Sequence, residues 1–312
     1  MRIGIDIMGG DYAPKETVLG AIRAYKEMPQ SCKIVLIGDK SQMIPIFEEK
    51  DFDPSVFEIV HTDERIEMGE HPAKAFSKKP KSSIGIGFHM LNSAQIDGFA
   101  SAGNTGAMMV GSMYTVKVIP GIIRPCIGSV LPRLSGGNSI ILDVGINADC
   151  RPDVLYQYAI LGSIYAEFVH GIKNPKVALL NIGSEEEKGN LLSRSSHELM
   201  KGSKDFNFIG NVEGNEFFGD KADVIVTDGF TGNVVLKEAE AFYTLIRKRK
   251  IDDEYFNRFN FENYGGTPIL GINSNVIIGH GISNEKAIKN MIIHTFNVVN
   301  AGINEKFKEV FK

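Results

Sequence analysis

Short apolar runs alternate with polar, glycine-containing turns and helical stretches along the whole chain. The pattern starts with RIGIDI at 2–7 and a helical stretch over 15–27, and it repeats with KIVLIGD at 33–39 and a helical stretch over 40–50. Buried strands that alternate with helices of this length are typical of βαβ units, whose strands lie parallel. We therefore predict an α/β protein with a three-layer α/β/α arrangement and a mostly parallel sheet.

Two pairs of apolar runs follow each other without a helical stretch between them, at 127–132 with 139–144 and at 268–273 with 275–280. Such pairs predict antiparallel neighbours, so the sheet should be mixed. The other predicted strands are 57–62, 96–102, 176–183, 207–212 and 222–229, and the other predicted helices are 81–94, from about 105 to 118, 152–171, 189–201, 231–249 and 284–309.

The 312 residues show no linker and no internal repeat, so we predict a single catalytic domain over 1–312. The least regular part is 247–267, which opens with four basic residues and continues with aromatic ones. The 34 basic and 38 acidic side chains give a net charge of −4. This balance argues against a nucleic-acid binder, which usually carries a basic surface. Three scattered cysteines exclude a disulfide framework and indicate a cytoplasmic protein.

Small and polar residues follow six of the predicted strands. These loops are MGGD (8–11), SAGNTGA (101–107), DVGIN (143–147), NIGSEEEKG (181–189), DGFTGN (228–233) and HGIS (280–283). In open α/β sheets the ligand binds outside the carboxyl ends of the strands, so we expect the six loops to line one crevice. Glycine, at 33 of 312 residues, is more frequent than the usual ~7 %, as expected where backbone approaches a ligand.

The loop SAGNTGA has the composition of an anion site at the start of a helix. The alternative is a plain strand-to-helix turn with Thr105 as the helix cap. DGFTGN, with Thr231 and Asn233, allows the same two interpretations. His280 either caps a turn or donates a proton to a ligand, and EEEK at 185–188 is either a solvated first helical turn or a way of presenting Lys188 to an anion. Asp6, Asp11, Asp143 and Asp228 at the strand ends either cap turns or orient a substrate.

Four familiar signatures are absent from the sequence: GxxxxGK[ST], GxGxxG, HExxH and GxSxG. An ordinary P-loop enzyme, a standard Rossmann dehydrogenase, a zinc protease and a serine hydrolase therefore lose support.

Seven motifs occur in an order that is specific. MGGDYAP, SAGNTGA, DVGIN, NIGSEEEKG, DGFTGN, YGGTPILGI and HGIS together closely resemble the bacterial acyl-carrier-protein:phosphate acyltransferase family, also called PlsX. The resemblance covers about residues 3 to 300. It implies a homodimer whose fold is related to phosphotransacetylases and to dehydrogenases of the isocitrate and isopropylmalate type. It implies transfer of a fatty acyl group from acyl-carrier protein to inorganic phosphate, and use of the acyl-phosphate by a membrane glycerol-phosphate acyltransferase in phospholipid synthesis.

Two departures from that family stand out. Ile146 occupies a position in DVGIN where the family typically has alanine, and the segment 247–263 is shorter than in many relatives. In those relatives the segment is linked to membrane contact, so peripheral association with the inner face of the membrane is an open expectation here.

The reaction that the resemblance implies needs no protein nucleophile, metal or cofactor, because phosphate itself attacks the thioester. It needs proximity and aimed hydrogen-bond donors. Four groups of residues are the candidates. They are Gly103, Asn104, Thr105 and Gly106 for phosphate; Asn181 and Lys188 for phosphate or the oxyanion; Asp6, Asp11, Asp228, Thr231 and Asn233 for lining and orienting the substrate; and His280 for the leaving sulfur or the oxyanion. Of these, the predicted catalytic residues are Lys188, Asp228, Asn233 and His280.

Acyl-carrier protein is acidic, so its docking surface should be basic, and the best candidate is the run Arg247, Lys248, Arg249 and Lys250. A solvated helix end is the alternative interpretation of this run. Three other functions stay open: an acyl-CoA:phosphate transacylase, a dehydrogenase on the related fold, and a non-catalytic protein that binds a phosphorylated metabolite.

Overall fold

The computed structural model describes all 312 residues, which form two compact units. The first unit consists of Met1–Val118 and Phe261–Asn300, and the second of Ile119–Asn260 and Ala301–Lys312. The strands of each unit pair with one another, and each unit has its own apolar core. The single catalytic domain over 1–312 stays a prediction.

The structure has eleven strands and eleven α-helices. The strands are β1 Arg2–Asp6, β2 Lys33–Gly38, β3 Glu58–His61, β4 Gly98–Ser101, β5 Cys126–Pro132, β6 Asn138–Leu142, β7 Lys176–Leu180, β8 Asn207–Val212, β9 Val224–Val226, β10 Thr267–Leu270 and β11 Asn275–Ile278. The helices are α1 Lys15–Glu27, α2 Lys40–Glu49, α3 Pro72–Lys78, α4 Ser83–Asn92, α5 Thr105–Gly111, α6 Pro152–Phe168, α7 Leu191–Met200, α8 Gly229–Lys248, α9 Glu254–Asn257, α10 Glu285–Asn300 and α11 Ile303–Val310.

The sheet of the first unit has the strand order β3-β2-β1-β4-β11-β10. Its strands are parallel except β10, which forms an antiparallel hairpin with β11. Helices α1, α2 and α10 pack together, and α3, α4 and α5 form a second group. Both α4 and α10 contact β1 and β4, so the two groups cover opposite faces of this sheet. Strands covered on both faces carry near-continuous apolar runs, as β2 does with Ile34, Val35, Leu36 and Ile37.

The sheet of the second unit has the strand order β5-β6-β9-β7-β8. Strands β5 and β6 are antiparallel, and the remaining pairs are parallel. Helix α6 packs on β6, β7 and β9, and it also contacts α7 and α11. Helix α8 contacts β6 at its start and α9 further along.

The predicted α/β class and mixed sheet are confirmed, and so are both antiparallel pairs. The single closing helix over 284–309 is wrong, because α10 and α11 are separate. Gly302 between them has a φ of 64° in the left-handed region, which glycine adopts without steric cost and which ends a helix.

Three further details differ from the sequence-based prediction. The helix expected to reach 118 is regular only to Gly111 and continues as a π-helical turn over Ser112–Val116. Helices α3 and α9 were not predicted, since each is short. EEEK is not a first helical turn, because α7 begins only at Leu191 with Asn190 as its cap. No helix of the structure has both the length and the apolar composition needed to span a bilayer.

Candidate active site

The first unit brings three of the six strand-end loops together, because β1, β4 and β11 are neighbours in its sheet. The backbone N–H of Asp11 donates to Gly281 O at 2.7 Å, and the N–H of Gly279 donates to Ser101 O at 2.9 Å. These bonds connect the loops MGGD, SAGNTGA and HGIS directly.

Asp6 is fully buried and holds two of these loops. Its carboxylate accepts the N–H of Met8 at 3.0 Å and the Ser101 hydroxyl at 2.6 Å. The same hydroxyl oxygen accepts the N–H of Gly103 at 2.9 Å. Burial raises the pKa of Asp6, and the hydrogen bond from Ser101 opposes that rise. Gly9 lies against this network so closely that a Cβ there would collide with the carboxylate. Asp6 therefore positions backbone rather than presenting an exposed carboxylate.

Asn104 is buried, and both the oxygen and the nitrogen of its side-chain amide form hydrogen bonds. Its Oδ1 accepts the N–H of Ala107 at 2.9 Å, which makes Asn104 the N-cap of α5, so the expectation of Thr105 as the cap is wrong. Its Nδ2 donates to the carbonyls of Glu67, Met68 and Glu70 at 3.0, 3.1 and 3.0 Å. Asn104 therefore ties the start of α5 to the segment 67–70.

Thr105 and Asp11 are exposed, and Gly103 is buried beside Asp6. The N–H groups of Thr105 and Gly106 precede the first donor that α5 satisfies itself, so they face outward from the helix start. Asp11 lines a cavity of about 330 Å³ with Arg65 and Glu67, whose side chains form an ion pair at 2.7 Å.

His280 follows β11 and is half-buried. Its ring lies 4.8 Å from the ring of Phe261, centroid to centroid, at a tilt of 41°. Its backbone carbonyl accepts the N–H of Ser283 at 3.0 Å, so the residue takes part in the turn after the strand.

The second unit brings the other three loops together, because β6, β9 and β7 are neighbours. Asp143 at the end of β6 is fully buried. Its carboxylate accepts the N–H groups of Ile127 at 3.0 Å and of Asn147 at 2.7 Å. Burial raises the pKa of Asp143, and these hydrogen bonds counteract the rise. The Asn147 carbonyl in turn accepts the N–H of Gly229 at 2.7 Å, which links DVGIN to DGFTGN.

Asp228 is the N-cap of α8. Its carboxylate accepts the N–H of Thr231 at 2.8 Å and the Thr231 hydroxyl at 2.9 Å. A Cβ at Gly232 would collide with the Asp143 carbonyl, so glycine lets α8 start directly on the end of β6. Asn233 is exposed beside the DVGIN loop, where a Cβ at Gly145 would lie 3.5 Å from its Oδ1.

Asn181 holds the loop that carries Lys188. The Asn181 side chain is buried, donates to Lys188 O at 3.1 Å and accepts the N–H of Ile182 at 2.9 Å. Lys188 itself is exposed. Asn181, Asp228 and Thr231 also line a cavity of about 700 Å³ in the second unit.

The basic run lies at the end of α8 and just beyond it, and all four of its residues are exposed. Arg247 is 3.8 Å from the Asp252 carboxylate and 3.5 Å from the Asn257 amide oxygen. Cations at the end of a helix stabilise it through the helix dipole, so this position agrees with both interpretations of the run.

Sequence reasoning missed several residues that shape these loops. Ser101 and Asn147 connect loops through hydrogen bonds. Arg65 lines a cavity together with Asp11, which is far from it in the sequence. Asp143 was predicted to cap a turn or to orient a substrate, but not to hold the loop through hydrogen bonds from Ile127 and Asn147. A polar side chain two positions before a glycine, at the end of an apolar run, was the available signal for Ser101 and Asp143, whereas no pattern in the sequence marks Arg65.

Comparison with known proteins gives a consistent result. The family described as "Fatty acid synthesis protein" matches residues 1–251. A phosphate acyltransferase from Dictyoglomus turgidum is 42 % identical over 328 residues, covering 99 % of this chain and 97 % of the relative. A phosphate acyltransferase from Aquifex aeolicus is 42 % identical over 326 residues, covering 98 % of this chain and 95 % of the relative.

Solved structures extend the comparison to the fold. A phosphotransacetylase from Streptococcus pyogenes superposes with a TM-score of 0.69 at 17 % identity, covering 96 % of this chain and 94 % of the other. A 4-hydroxythreonine-4-phosphate dehydrogenase from Klebsiella pneumoniae superposes with a TM-score of 0.56 at 12 % identity, covering 96 % and 98 %. At these identities the likeness concerns the fold alone, and it confirms the predicted relation to phosphotransacetylases.

Proposed function

Because the chain belongs to the fatty acid synthesis protein family and is similar over nearly its full length to phosphate acyltransferases, we propose that it transfers a fatty acyl group from acyl-carrier protein to inorganic phosphate. The product is an acyl-phosphate, a precursor for phospholipid synthesis. The observation that carries this proposal is the 42 % identity, which extends over 99 % of the chain.

The proposed chemistry is direct. A phosphate oxygen attacks the thioester carbonyl carbon, a C–O bond forms, the C–S bond breaks, and the thiolate leaves and takes up a proton. A thiol pKa of roughly 8.5 makes the thiolate an adequate leaving group. The enzyme then has to hold phosphate near the thioester and stabilise the negative oxygen of the tetrahedral intermediate.

In the first unit, phosphate binding is assigned to the start of α5. The N–H groups of Thr105 and Gly106 and the exposed Thr105 hydroxyl are the donors that support this assignment. Gly103 and Asn104 contribute by holding the loop, since the Asn104 amide already has partners for both its oxygen and its nitrogen. Asp6 acts in the same way, and Asp11 stays a candidate for orienting the substrate.

In the second unit, Lys188 and Asn233 are assigned to the oxyanion and the substrate, because both side chains are exposed on strand-end loops. Asn181 positions the loop of Lys188. Asp228 and Thr231 cap α8 and line the 700 Å³ cavity. His280 is assigned to proton donation to the leaving sulfur or to the oxyanion.

Partners follow from the same proposal. Acyl-carrier protein docks on the run Arg247, Lys248, Arg249 and Lys250, and the protein acts as a homodimer. The acyl-phosphate passes to a membrane enzyme that acylates glycerol phosphate. Peripheral contact with the membrane belongs to the proposal only as a transient event during that transfer.

The test follows thiol release from palmitoyl-acyl-carrier protein with and without inorganic phosphate, with palmitoyl-CoA in a parallel sample. We expect phosphate-dependent release from the carrier protein and a product that reacts with hydroxylamine. Release from the CoA ester alone would assign the protein to the acyl-CoA:phosphate transacylases. Binding of phosphate without release from either donor would leave a non-catalytic binding protein.

A further inference from the structure

A cavity of about 700 Å³ in the second unit is lined in part by apolar side chains. Leu155 of α6, Leu179 of β7 and Phe217 belong to this lining, and all three are buried. Leu192 and Val235 also belong to it and are half-buried. The cavity therefore offers a ligand apolar contacts from α6, β7, α7 and α8.

Polar side chains line the rest of the cavity, among them Asn181, Asp228 and Thr231. Asn181 also holds the loop of Lys188. These residues belong to the strand ends to which the reaction is assigned. A ligand in the cavity would thus meet apolar side chains as well as polar groups to which a part in the reaction is assigned.

The charge of the lining does not favour an anion as the occupant of the cavity. Seventeen residues line the cavity, and none is lysine, arginine or histidine. Its two charged residues, Glu213 and Asp228, are both acidic, so the lining supplies no cation to pair with a phosphate or a diphosphate. A neutral apolar chain is the ligand class that this lining favours.

The volume agrees with a long chain. A methylene group is about as large as a water molecule, whose share of liquid volume is about 30 Å³, so sixteen carbons need roughly 480 Å³. The cavity of about 700 Å³ accommodates this chain and the first atoms beyond its carbonyl.

We propose that this cavity binds the acyl chain of the substrate and that the size of the side chains at positions 192 and 235 determines how far the chain reaches into it. The proposal rests on the proposed acyl transfer. In this arrangement the thioester carbonyl lies beside Asn181 and Thr231, and the methyl end of the chain lies against Leu155, Leu179 and Phe217, which form the floor of the proposed site.

The first test compares chain-length profiles of kcat/KM from octanoyl to stearoyl donors. For wild type we expect a rise of up to about fourfold per added methylene, until the cavity is full. Leu192→Phe narrows the cavity and should lower kcat/KM for palmitoyl donors by about tenfold or more relative to octanoyl donors. Leu191→Phe is the matched control, because the neighbouring Leu191 is exposed and does not line the cavity. Val235→Phe makes the same test with a lining residue of α8.

A second test does not depend on turnover. Hexadecanol with a diazirine at its methyl end is irradiated with the protein, and the labelled peptides are mapped. We expect labels at Leu155, Leu179 or Phe217 in wild type and in Leu191→Phe, and weaker labelling in Leu192→Phe. Labels elsewhere, or chain-length profiles that Leu192→Phe and Val235→Phe leave unchanged in active enzyme, would overturn the cavity assignment. Failure of every donor to yield acyl-phosphate, with floor labelling intact, would overturn the acyl transfer and leave an apolar-chain site.

Discussion

Buried polar side chains at the strand ends hold the loops of both units. Asp6 and Asp143 each accept several hydrogen bonds in a fully buried position, and Asn104 and Asn181 use both ends of their amides. A buried polar group without a partner costs about 1–3 kcal/mol, so such networks are favourable only when they are complete. The side chains left to contact a ligand are the exposed ones beside them, such as Thr105, Lys188 and Asn233.

Asn104 and Thr105 are neighbours with opposite expected roles. Asn104→Ala removes the cap of α5 and leaves three backbone carbonyls without their donor, so we expect a loss of about 2–4 kcal/mol in the free energy of unfolding, measured by urea denaturation. Thr105→Ala removes only an exposed hydroxyl, so it should change stability by less than about 0.5 kcal/mol.

The kinetics of Thr105→Ala test whether Thr105 contributes to phosphate binding. Thr105→Ala should raise the KM for phosphate by about two- to tenfold, the value of one neutral hydrogen bond. A KM for phosphate that Thr105→Ala leaves at the wild-type value would contradict the assignment of phosphate to the start of α5.

Among the elements, α8 is unusual in how little of it is buried. Only Gly229, Gly232 and Ala239 of its 20 residues are buried. Exposed apolar side chains recur along the opposite face, at Phe230, Val234, Ala241, Phe242 and Leu245. Residues three or four apart share a helix face, so most of these side chains form one stripe. An apolar stripe of this kind is typical of a surface that pairs with another protein, which supports the proposed homodimer.

Charged substitutions on this stripe test the homodimer. We expect the double variant Phe242→Glu, Leu245→Glu to be monomeric in light scattering at concentrations where wild type is a dimer, because the charges would lose their hydration in the contact. Lys204→Glu, an exposed change away from α8, is the control and should stay dimeric. A wild-type chain that is monomeric throughout would contradict the homodimer, and a dimer that persists in the double variant would exclude this face as its interface.

At the scale of the whole molecule, one exposed surface carries a charge opposite in sign to the net charge of the protein. The chain carries a formal −4, yet it places four consecutive cations, Arg247 to Lys250, on an exposed helix end. A local basic surface on an acidic protein attracts an acidic partner without favouring contact with nucleic acid in general.

Reversal of this charge should weaken the docking of acyl-carrier protein. For Lys248→Glu, Lys250→Glu we expect a higher KM for the carrier-bound donor and a flatter dependence of that KM on salt, because screened attraction is lost. Lys306→Glu, Lys308→Glu in α11 changes the net charge equally and should leave both quantities at wild-type values. If the first variant also behaves as wild type, docking lies elsewhere, and the lysines of α3 around a cavity of about 340 Å³ become the next surface to test.

The sequence by itself determined the fold class, most elements and the six loops at the strand ends. These features depend on local patterns: apolar runs of strand length, helical periodicity, and glycines with polar residues where a run ends. The expected boundaries of α1 at 15–27 agree with the structure for this reason. The family also followed from sequence, because seven ordered motifs carry far more information than any one of them.

Only the tertiary structure decided which polar residues hold the loops and which are left exposed. Asn104 reads as a ligand donor in the sequence, but its partners are carbonyls 34 to 37 positions away. Likewise, the apolar cavity gathers Leu155, Leu179, Leu192 and Phe217 from four separate elements and loops. Burial and hydrogen-bond partnership depend on contacts between distant segments, and no local pattern in the chain encodes those contacts.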